Sequence, residues 1–251
     1  MRRGGLAAVA AVLLAVARPA PAEEVLVFAA ASLTDALREL GSAFEKTSGD
    51  RVVFAFGASN DLARQIVAGA PADVFFSADV GLVDRLVQRG LIIPETRAIY
   101  GQGRIVLATA RSAGARLTDL RQLGEPRVRH VSIANPVHAP YGRAAEQALR
   151  AVGLWDSVKP KLVYAENVRQ ALQYVQTGAV ETGIVALAIA SVPEVEWVTI
   201  DPALHAPLNQ AAGVLRRSGR PELGTALVQF INGTEGRPIM KRFGFMLPGE
   251  F

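Results

Sequence analysis

Residues 25–40, VLVFAAASLTDALREL, contain the pattern from which the fold class is predicted. The first six residues are apolar, which predicts a buried strand, and Leu33, Leu37 and Leu40 then recur at helical spacing. Small residues, ending in Ser32, stand between the two patterns and predict a tight turn. The stretch is therefore a strand, a turn and a helix, which is the repeating unit of parallel α/β folds.

The same unit recurs along the chain. Short apolar runs precede helical patterns at 52–56, 74–77, 131–134 and 161–163, and two of the following helices are predicted over 141–152 and 168–176. Changes in composition at 100–103 and 205–209 indicate crossings between two lobes. We expect an α/β protein with two lobes, each a mostly parallel sheet flanked by helices, and a ligand cleft between them. Lobe I is predicted over 23–102 and 209–251, and lobe II over 103–208.

The N-terminus has the three parts of a secretory signal. Arg2 and Arg3 precede an apolar run over 6–17, and Ala20-Pro21-Ala22 has the small-x-small form of a cleavage site. The apolar run is shorter than the roughly 20 residues that span a bilayer. These residues predict a cleaved signal peptide over 1–22 and a periplasmic mature protein.

Composition limits the partners. The chain has 27 basic and 23 acidic residues, and loss of three arginines with the signal leaves 24 minus 23, or +1. This balance argues against nucleic-acid binding, which needs excess positive charge. Without cysteine there is no disulfide and no lipid-modified N-terminal cysteine. We therefore expect a protein that is free in its compartment, as a monomer.

The strand-to-helix turns carry the informative chemistry. Ser32 and Ser59 stand at two of them, and each hydroxyl is expected to cap its helix, Ser32 with the capping-box spacing to Asp35, while donating a proton outward. Pro140-Tyr141 and Asn167-Val168 open two helices of the other lobe. Helix starts carry unpaired N–H groups and partial positive charge, so four of them around one cleft predict an anion site without lysine or arginine.

Other chemistry is poorly supported. His130, His138 and His205 have no metal-binding spacing, and no nucleophile elbow or phosphate-cradling lysine loop occurs. We expect His138 at the rim of the cleft, and Asp61 and Asp79 are most simply solvated or capping carboxylates. The sequence predicts no enzyme and no cofactor.

Several segments resemble the periplasmic molybdate-binding proteins of ABC importers, in order and over essentially the whole mature chain. They are 27–34 (VFAAASLT), 62–66 (LARQI), 69–74 (GAPADV), 135–142 (NPVHAPYG), 183–185 (GIV) and 241–245 (KRFGF). The resemblance implies a type II periplasmic binding fold whose lobes close on molybdate or tungstate and deliver it to a membrane permease.

The resemblance also assigns ligand residues. It places the oxyanion on the serines Ser32 and Ser59 and on the backbone N–H groups of Tyr141 and Val168. Molybdenum would be bound only as this oxyanion. Residues expected beside the ligand are Ala31, Ala58, Pro140, Asn167 and Ala186. At Ala186 well-known members of the family carry a tyrosine, and the hypothesis is that the hydroxyl of Tyr141 or Tyr164 replaces it.

A pocket that only donates hydrogen bonds should reject monohydrogen phosphate, whose proton needs an acceptor. Sulfate, molybdate and tungstate share shape and charge, so only the resemblance favours the two metal oxyanions. A binding protein for sulfate or another tetrahedral oxyanion stays open as the alternative. A non-transport effector-binding domain and an enzyme on the same fold are the remaining readings.

Overall fold

The structure is a computed structural model that describes residues 22–114 and 116–251. The predicted signal peptide, except for its last residue Ala22, lies outside the described residues. The strands are β1 (Glu24–Ala30), β2 (Arg51–Gly57), β3 (Val74–Ser77), β4 (Ala98–Gly103), β5 (Ile105–Ala110), β6 (Val131–Ala134), β7 (Leu162–Ala165), β8 (Thr182–Ala186), β9 (Val195–Thr199) and β10 (Leu208–Val214). The α-helices are α1 (Thr34–Ser48), α2 (Ser59–Val67), α3 (Val80–Gln88), α4 (Pro140–Ala151), α5 (Trp155–Val158), α6 (Val168–Gln176), α7 (Leu187–Ala190), α8 (Pro221–Asn232) and α9 (Gly236–Arg242).

These strands form two sheets with the same plan. The first has the order β2-β1-β3-β10-β4 and the second the order β7-β6-β8-β5-β9. In each sheet the first three strands pair in parallel, and the fourth, β10 or β5, runs antiparallel to both of its neighbours. The predicted α/β fold of the type II periplasmic binding class is confirmed, with mixed sheets flanked by helices.

The chain passes from the first sheet to the second within one residue. Only Arg104 separates β4 from β5, so the predicted crossing at 100–103 is strand instead. Gly101 suits this strand because a Cβ there would lie 3.0 Å from the carbonyl oxygen of Met246, where the C-terminal segment pairs with β4. The return crossing leads directly into β10, which begins at Leu208.

The helices cover the sheets with their apolar faces. In α1 the buried positions include Leu37, Leu40 and Phe44, at the spacing expected from the sequence. The Phe44 ring packs edge-on against Phe230 of α8, with centroids 5.4 Å apart. Gly49 ends α1 in the left-handed conformation, at φ 81°. The helix α1 therefore packs against β2 and α8.

In the described part of the chain no helix is both long and apolar enough to cross a membrane.

Candidate anion-binding site

Four strand-to-helix turns meet between the two sheets and enclose a small cavity. Two turns follow β1 and β2 of the first sheet, and two follow β6 and β7 of the second, so every turn stands at the carboxyl end of a parallel strand. The cavity is lined by Ala30, Ala31, Ser32, Gly57, Ala58, Ser59, Ala78, Ala139, Pro140, Tyr141, Asn167 and Val168. None of these side chains is charged.

Ser32 does not cap a helix, contrary to the sequence prediction. It lies within a short 3-10 turn, Ala31–Leu33, and α1 begins only at Thr34. The Thr34 hydroxyl donates to the Ala31 carbonyl at 2.8 Å, so threonine satisfies this turn instead. The Ser32 hydroxyl is 1% exposed and makes no well-formed hydrogen bond with the described residues, although the Tyr141 hydroxyl lies beside it. Leaving such a group unpaired costs about 1–3 kcal/mol, and a bound ligand that accepts its hydrogen bond would remove this cost.

Ser59 is the first residue of α2, and its side chain also makes no helix cap. The predicted cap is wrong because the hydroxyl instead accepts a hydrogen bond from the backbone N–H of Ala78, at 3.1 Å, just after β3. An oxygen that accepts in this way keeps its own proton free to donate. The Ser59 hydroxyl is therefore oriented as a donor.

Tyr141 supplies a free backbone N–H at the start of α4. The helix begins with Pro140, a residue favoured there because its missing N–H needs no partner. The Tyr141 N–H stands in the first turn, and no loop carbonyl of the described chain accepts from it. Gly142 lets this helix end come close to β6, since a Cβ there would lie 2.1 Å from the Ala134 carbonyl oxygen.

Val168 is the corresponding residue of α6. Asn167 caps this helix, and its side-chain oxygen accepts from the N–H groups of Arg169 and Gln170, both at 3.0 Å. The N–H of Val168 lies outside this cap, and no loop carbonyl of the described residues accepts from it. The cap thus leaves the backbone N–H of Val168, a residue that lines the cavity, outside its hydrogen bonds.

Of the two candidate tyrosine hydroxyls, the structure brings only Tyr141 to the cavity. Tyr164 is 44% exposed and Ala186 ends β8, and neither residue lines the cavity. The Tyr141 hydroxyl accepts a hydrogen bond from Gln210 at 2.8 Å and lies beside that of Ser32. Burial raises the pKa of Tyr141 to about 12, and the neighbouring Gln210 and Ser32 groups offset this only in part. Tyr141 is therefore protonated at neutral pH.

Two ion pairs and one contact between a carboxylate and a histidine join the two halves around the cavity. Asp35 pairs with Arg169 at 2.6 Å, Asp79 with Arg143 at 2.5 Å, and Asp61 with the Nδ1 of His138 at 3.0 Å. We call these the rim pairs. In each rim pair the carboxylate stands at the start of a helix beside the first sheet. Its basic partner lies in α4, in α6 or in the turn before α4. The halves are therefore in contact, and the cavity between them is closed.

The closed cavity is tight. Its free space is about 10 Å³, close to the room that one water molecule needs. A tetrahedral oxyanion is several times larger, so the lining groups must separate slightly to admit it. Residues from all four turns line this one small space.

Sequence reasoning missed Gln210 and the charged partners Arg143 and Arg169. Gln210 could have been noticed as a polar residue directly before the apolar end of its strand. The rim pairs had a weaker signal, since acids stand at the helix starts of one half and bases at those of the other. Their pairing depends on how the halves face each other. No cluster of metal-ligating side chains occurs among the residues the structure describes.

Two mixed sheets that face each other across a cleft of helix starts define a two-lobed solute-binding protein. Residues 25–246 match the family described as bacterial extracellular solute-binding protein, and the chain belongs to this family.

Relatives of known function match along nearly their whole length. The chain is 32% identical to the molybdate-binding protein ModA of Rhodobacter capsulatus, over 97% of this chain and 96% of that one. It is 35% identical to ModA of Escherichia coli, over 95% of each chain. Among solved structures, the Azotobacter vinelandii periplasmic molybdate-binding protein superposes with a TM-score of 0.83 and 31% identity, covering 89% of this chain and 99% of that one.

Proposed function

We propose that this protein captures molybdate, and tungstate with it, outside the cytoplasm and delivers the anion to the permease of an ABC importer. The observation that carries the proposal is the buried Ser32 hydroxyl, which lacks a partner in a cavity lined by further free donors. The relatives named above as molybdate-binding proteins support the choice of anion.

The ligand set we propose is the hydroxyls of Ser32 and Ser59 and the backbone N–H groups of Tyr141 and Val168. Ala31, Ala58, Pro140 and Asn167 shape the turns that present them. Each proposed group donates a hydrogen bond, and the helix starts add partial positive charge. Such a site neutralises a dianion without a cationic side chain.

Selectivity against phosphate follows from the same donors. Monohydrogen phosphate carries a proton that needs an acceptor, and the cavity lining contains no carboxylate. A proton directed at a donor would leave both groups unpaired, at a cost of about 1–3 kcal/mol. Fully ionised molybdate, tungstate and sulfate avoid this cost.

Binding is proposed to close the two lobes, here residues 23–102 with 209–251 against 103–208. Each lobe contributes two of the four turns, so only the closed form makes all the contacts, and the ligand stabilises that form. Small-angle scattering with and without saturating molybdate tests this. The radius of gyration should fall on binding, and an unchanged radius would contradict closure.

The remaining assignments follow from this role. The protein acts as a binding protein and not as an enzyme, as a monomer, and it recognises no nucleic acid. Its residues 1–22 are removed as a signal peptide during export to the periplasm. N-terminal sequencing of the exported protein tests the last point: a chain that begins at Glu23 is expected, and retention of Met1 in the exported protein would contradict it.

The decisive experiment is calorimetric titration of residues 23–251 with molybdate, tungstate, sulfate and phosphate in one buffer. We expect one-to-one binding of molybdate and tungstate and no heat from phosphate. Molybdate at a thousand times its dissociation constant should stabilise the protein by about 4 kcal/mol. Binding of sulfate alone would reassign the ligand, and binding of none of the four would overturn the proposal.

A further inference from the structure

Gln210 is a fully buried polar residue at the junction of the two halves. It lies in β10, the strand along which the chain returns from the second sheet to the first, and is 0% exposed. A buried amide must find partners for both its ends. In the structure it has them on two different elements.

The two ends of the Gln210 amide make hydrogen bonds with two tyrosine hydroxyls. Its Nε2 donates to the Tyr141 hydroxyl at 2.8 Å, and its Oε1 accepts from the Tyr100 hydroxyl at 2.9 Å. The Tyr100 hydroxyl is also 3.0 Å from the Ser77 carbonyl oxygen, so its single proton is shared between two acceptors. Because Tyr141 belongs to α4, this amide joins the first sheet to a helix of the second half.

The backbone is irregular where this contact forms. The pairing of β10 with β4 is irregular between Gln210 and Ala211. Gln210 pairs with Gly101 and Ala211 pairs with Ile99, so Tyr100 has no partner in β10. Such bulges redirect side chains and are frequent beside binding sites. Here the bulge brings Tyr100 and Gln210 together under the cavity.

Gly103 makes room for the contact. A Cβ at this position would lie 2.0 Å from the Tyr141 hydroxyl and 2.4 Å from the Gln210 Nε2. Gly103 is the last residue of β4, next to the crossing at Arg104. The absence of a side chain there lets the tyrosine and the glutamine meet.

We propose that Gln210 is a positioning residue of the anion site, which occupies the acceptor side of the Tyr141 hydroxyl so that the phenolic proton is donated into the cavity. The Tyr141 proton then supports the oxyanion directly or through the adjacent Ser32 hydroxyl. Tyr141 thus contributes a side-chain donor as well as its backbone N–H, which supplies the hydroxyl missing at Ala186. The inference rests on the proposed function and specifies which residues complete that site.

The test is a double-mutant cycle on molybdate binding, with Tyr141→Phe, Gln210→Met and the double variant. Loss of a hydrogen bond to a charged group should weaken binding about ten- to a hundredfold in Tyr141→Phe. Gln210→Met should weaken binding in the wild-type background and have no further effect in the Tyr141→Phe background. This lack of additivity is expected if Gln210 acts through the tyrosine proton.

Gln102→Met is the matched control, because Gln102 lies in the same strand pair and, among the described residues, its side chain bonds only Asn209. It should leave binding unchanged. Melting of the ligand-free variants separates positioning from general destabilisation. The inference is overturned if Tyr141→Phe binds molybdate like the wild type, since the phenolic proton would then make no contribution to binding, or if the two substitutions are additive. Failure of the wild type to bind any tested oxyanion would instead overturn the proposed function, and this inference with it.

Discussion

The Nη1 of Arg169, in the first turn of α6, lies 2.6 Å from the Oδ2 of Asp35, in the first turn of α1. The two residues are 134 positions apart in the chain and come from opposite halves of the molecule. Each side chain is about one-third exposed. The pair therefore exists only when the halves are closed, and it joins the two helices that begin beside the anion cavity.

Arg169→Met should weaken molybdate binding about two- to fivefold, because a partly exposed ion pair contributes about 0.2–1 kcal/mol to the closed form. The loss should shrink as salt is raised towards 1 M, where such pairs are screened. Calorimetry at two salt concentrations checks this. Arg127→Met is the matched control, since Arg127 pairs with Glu125 two residues away, within one half. Equal effects of both variants would show that the rim pair has no role in closure.

Ser32→Ala should separate binding from stability. Molybdate affinity should fall about ten- to a hundredfold, because a donor to a charged ligand is lost. The ligand-free protein should be as stable as the wild type or more stable, since the buried hydroxyl has no partner to lose. Calorimetry and urea unfolding measure the two effects.

Ser132→Ala is the comparison for that variant and should show the reverse. Its hydroxyl is equally buried but donates to the Ala171 carbonyl at 2.7 Å. We expect a loss of about 1 kcal/mol in stability with unchanged affinity. A Ser32→Ala protein that is destabilised while binding normally would contradict a ligand role for Ser32.

Gly142→Ala should displace the start of α4. The added methyl would lie 2.1 Å from the Ala134 carbonyl oxygen, which is backbone and cannot rotate away. Overpacking of this kind costs about 1–3 kcal/mol, and the Tyr141 N–H should move with the helix end, so affinity should fall too. Gly219→Ala has open space around the new methyl and should change neither property. A Gly142→Ala protein with wild-type stability would show that α4 is not fixed by this contact.

Alkaline pH should destabilise the protein through Tyr141. Its pKa is raised from 10.0 when unfolded to about 12 when folded, so its contribution to stability is complete below pH 10 and is lost as pH rises through 12. Between pH 8 and pH 11 this amounts to about 1.4 kcal/mol. Tyr141→Phe should therefore lose less stability than the wild type over this interval, as measured by urea unfolding. Equal losses in the two proteins would contradict the raised pKa.

The local elements were largely readable in the sequence. The predicted helix over 168–176 agrees with α6 at both ends, because its apolar positions keep helical spacing and Asn167 caps its start. The crossing predicted over 100–103 lies at the end of β4, and the chain passes to the second sheet at the next residue, Arg104. That these residues form a strand was not predicted, because Gly101 and Gly103 are required by close approaches of other parts of the chain, which no local pattern reveals.

The candidate site was predictable only in part. The residue types and positions in the sequence indicated which four turns carry the proposed donors. The neighbours expected there, Ala31, Ala58, Pro140 and Asn167, line the cavity. The sequence did not reveal that Ser32 makes no helix cap. The Thr34 hydroxyl, and not that of Ser32, makes the side-chain hydrogen bond of this turn. The choice between Tyr141 and Tyr164 also required the packed structure.

The order of strands and helices, and the turns that carry donors, could be predicted from local residue patterns, because hydrophobic periodicity and helix-start chemistry are local properties. Which polar groups are left unpaired depends on how distant segments pack. Ser32 lacks a partner, Gln210 holds Tyr141, and the acids of one half face the bases of the other, although these residues lie far apart in the chain. Hydrogen bonds and ion pairs act over a few ångströms, so their partners are set by the packing of the two halves.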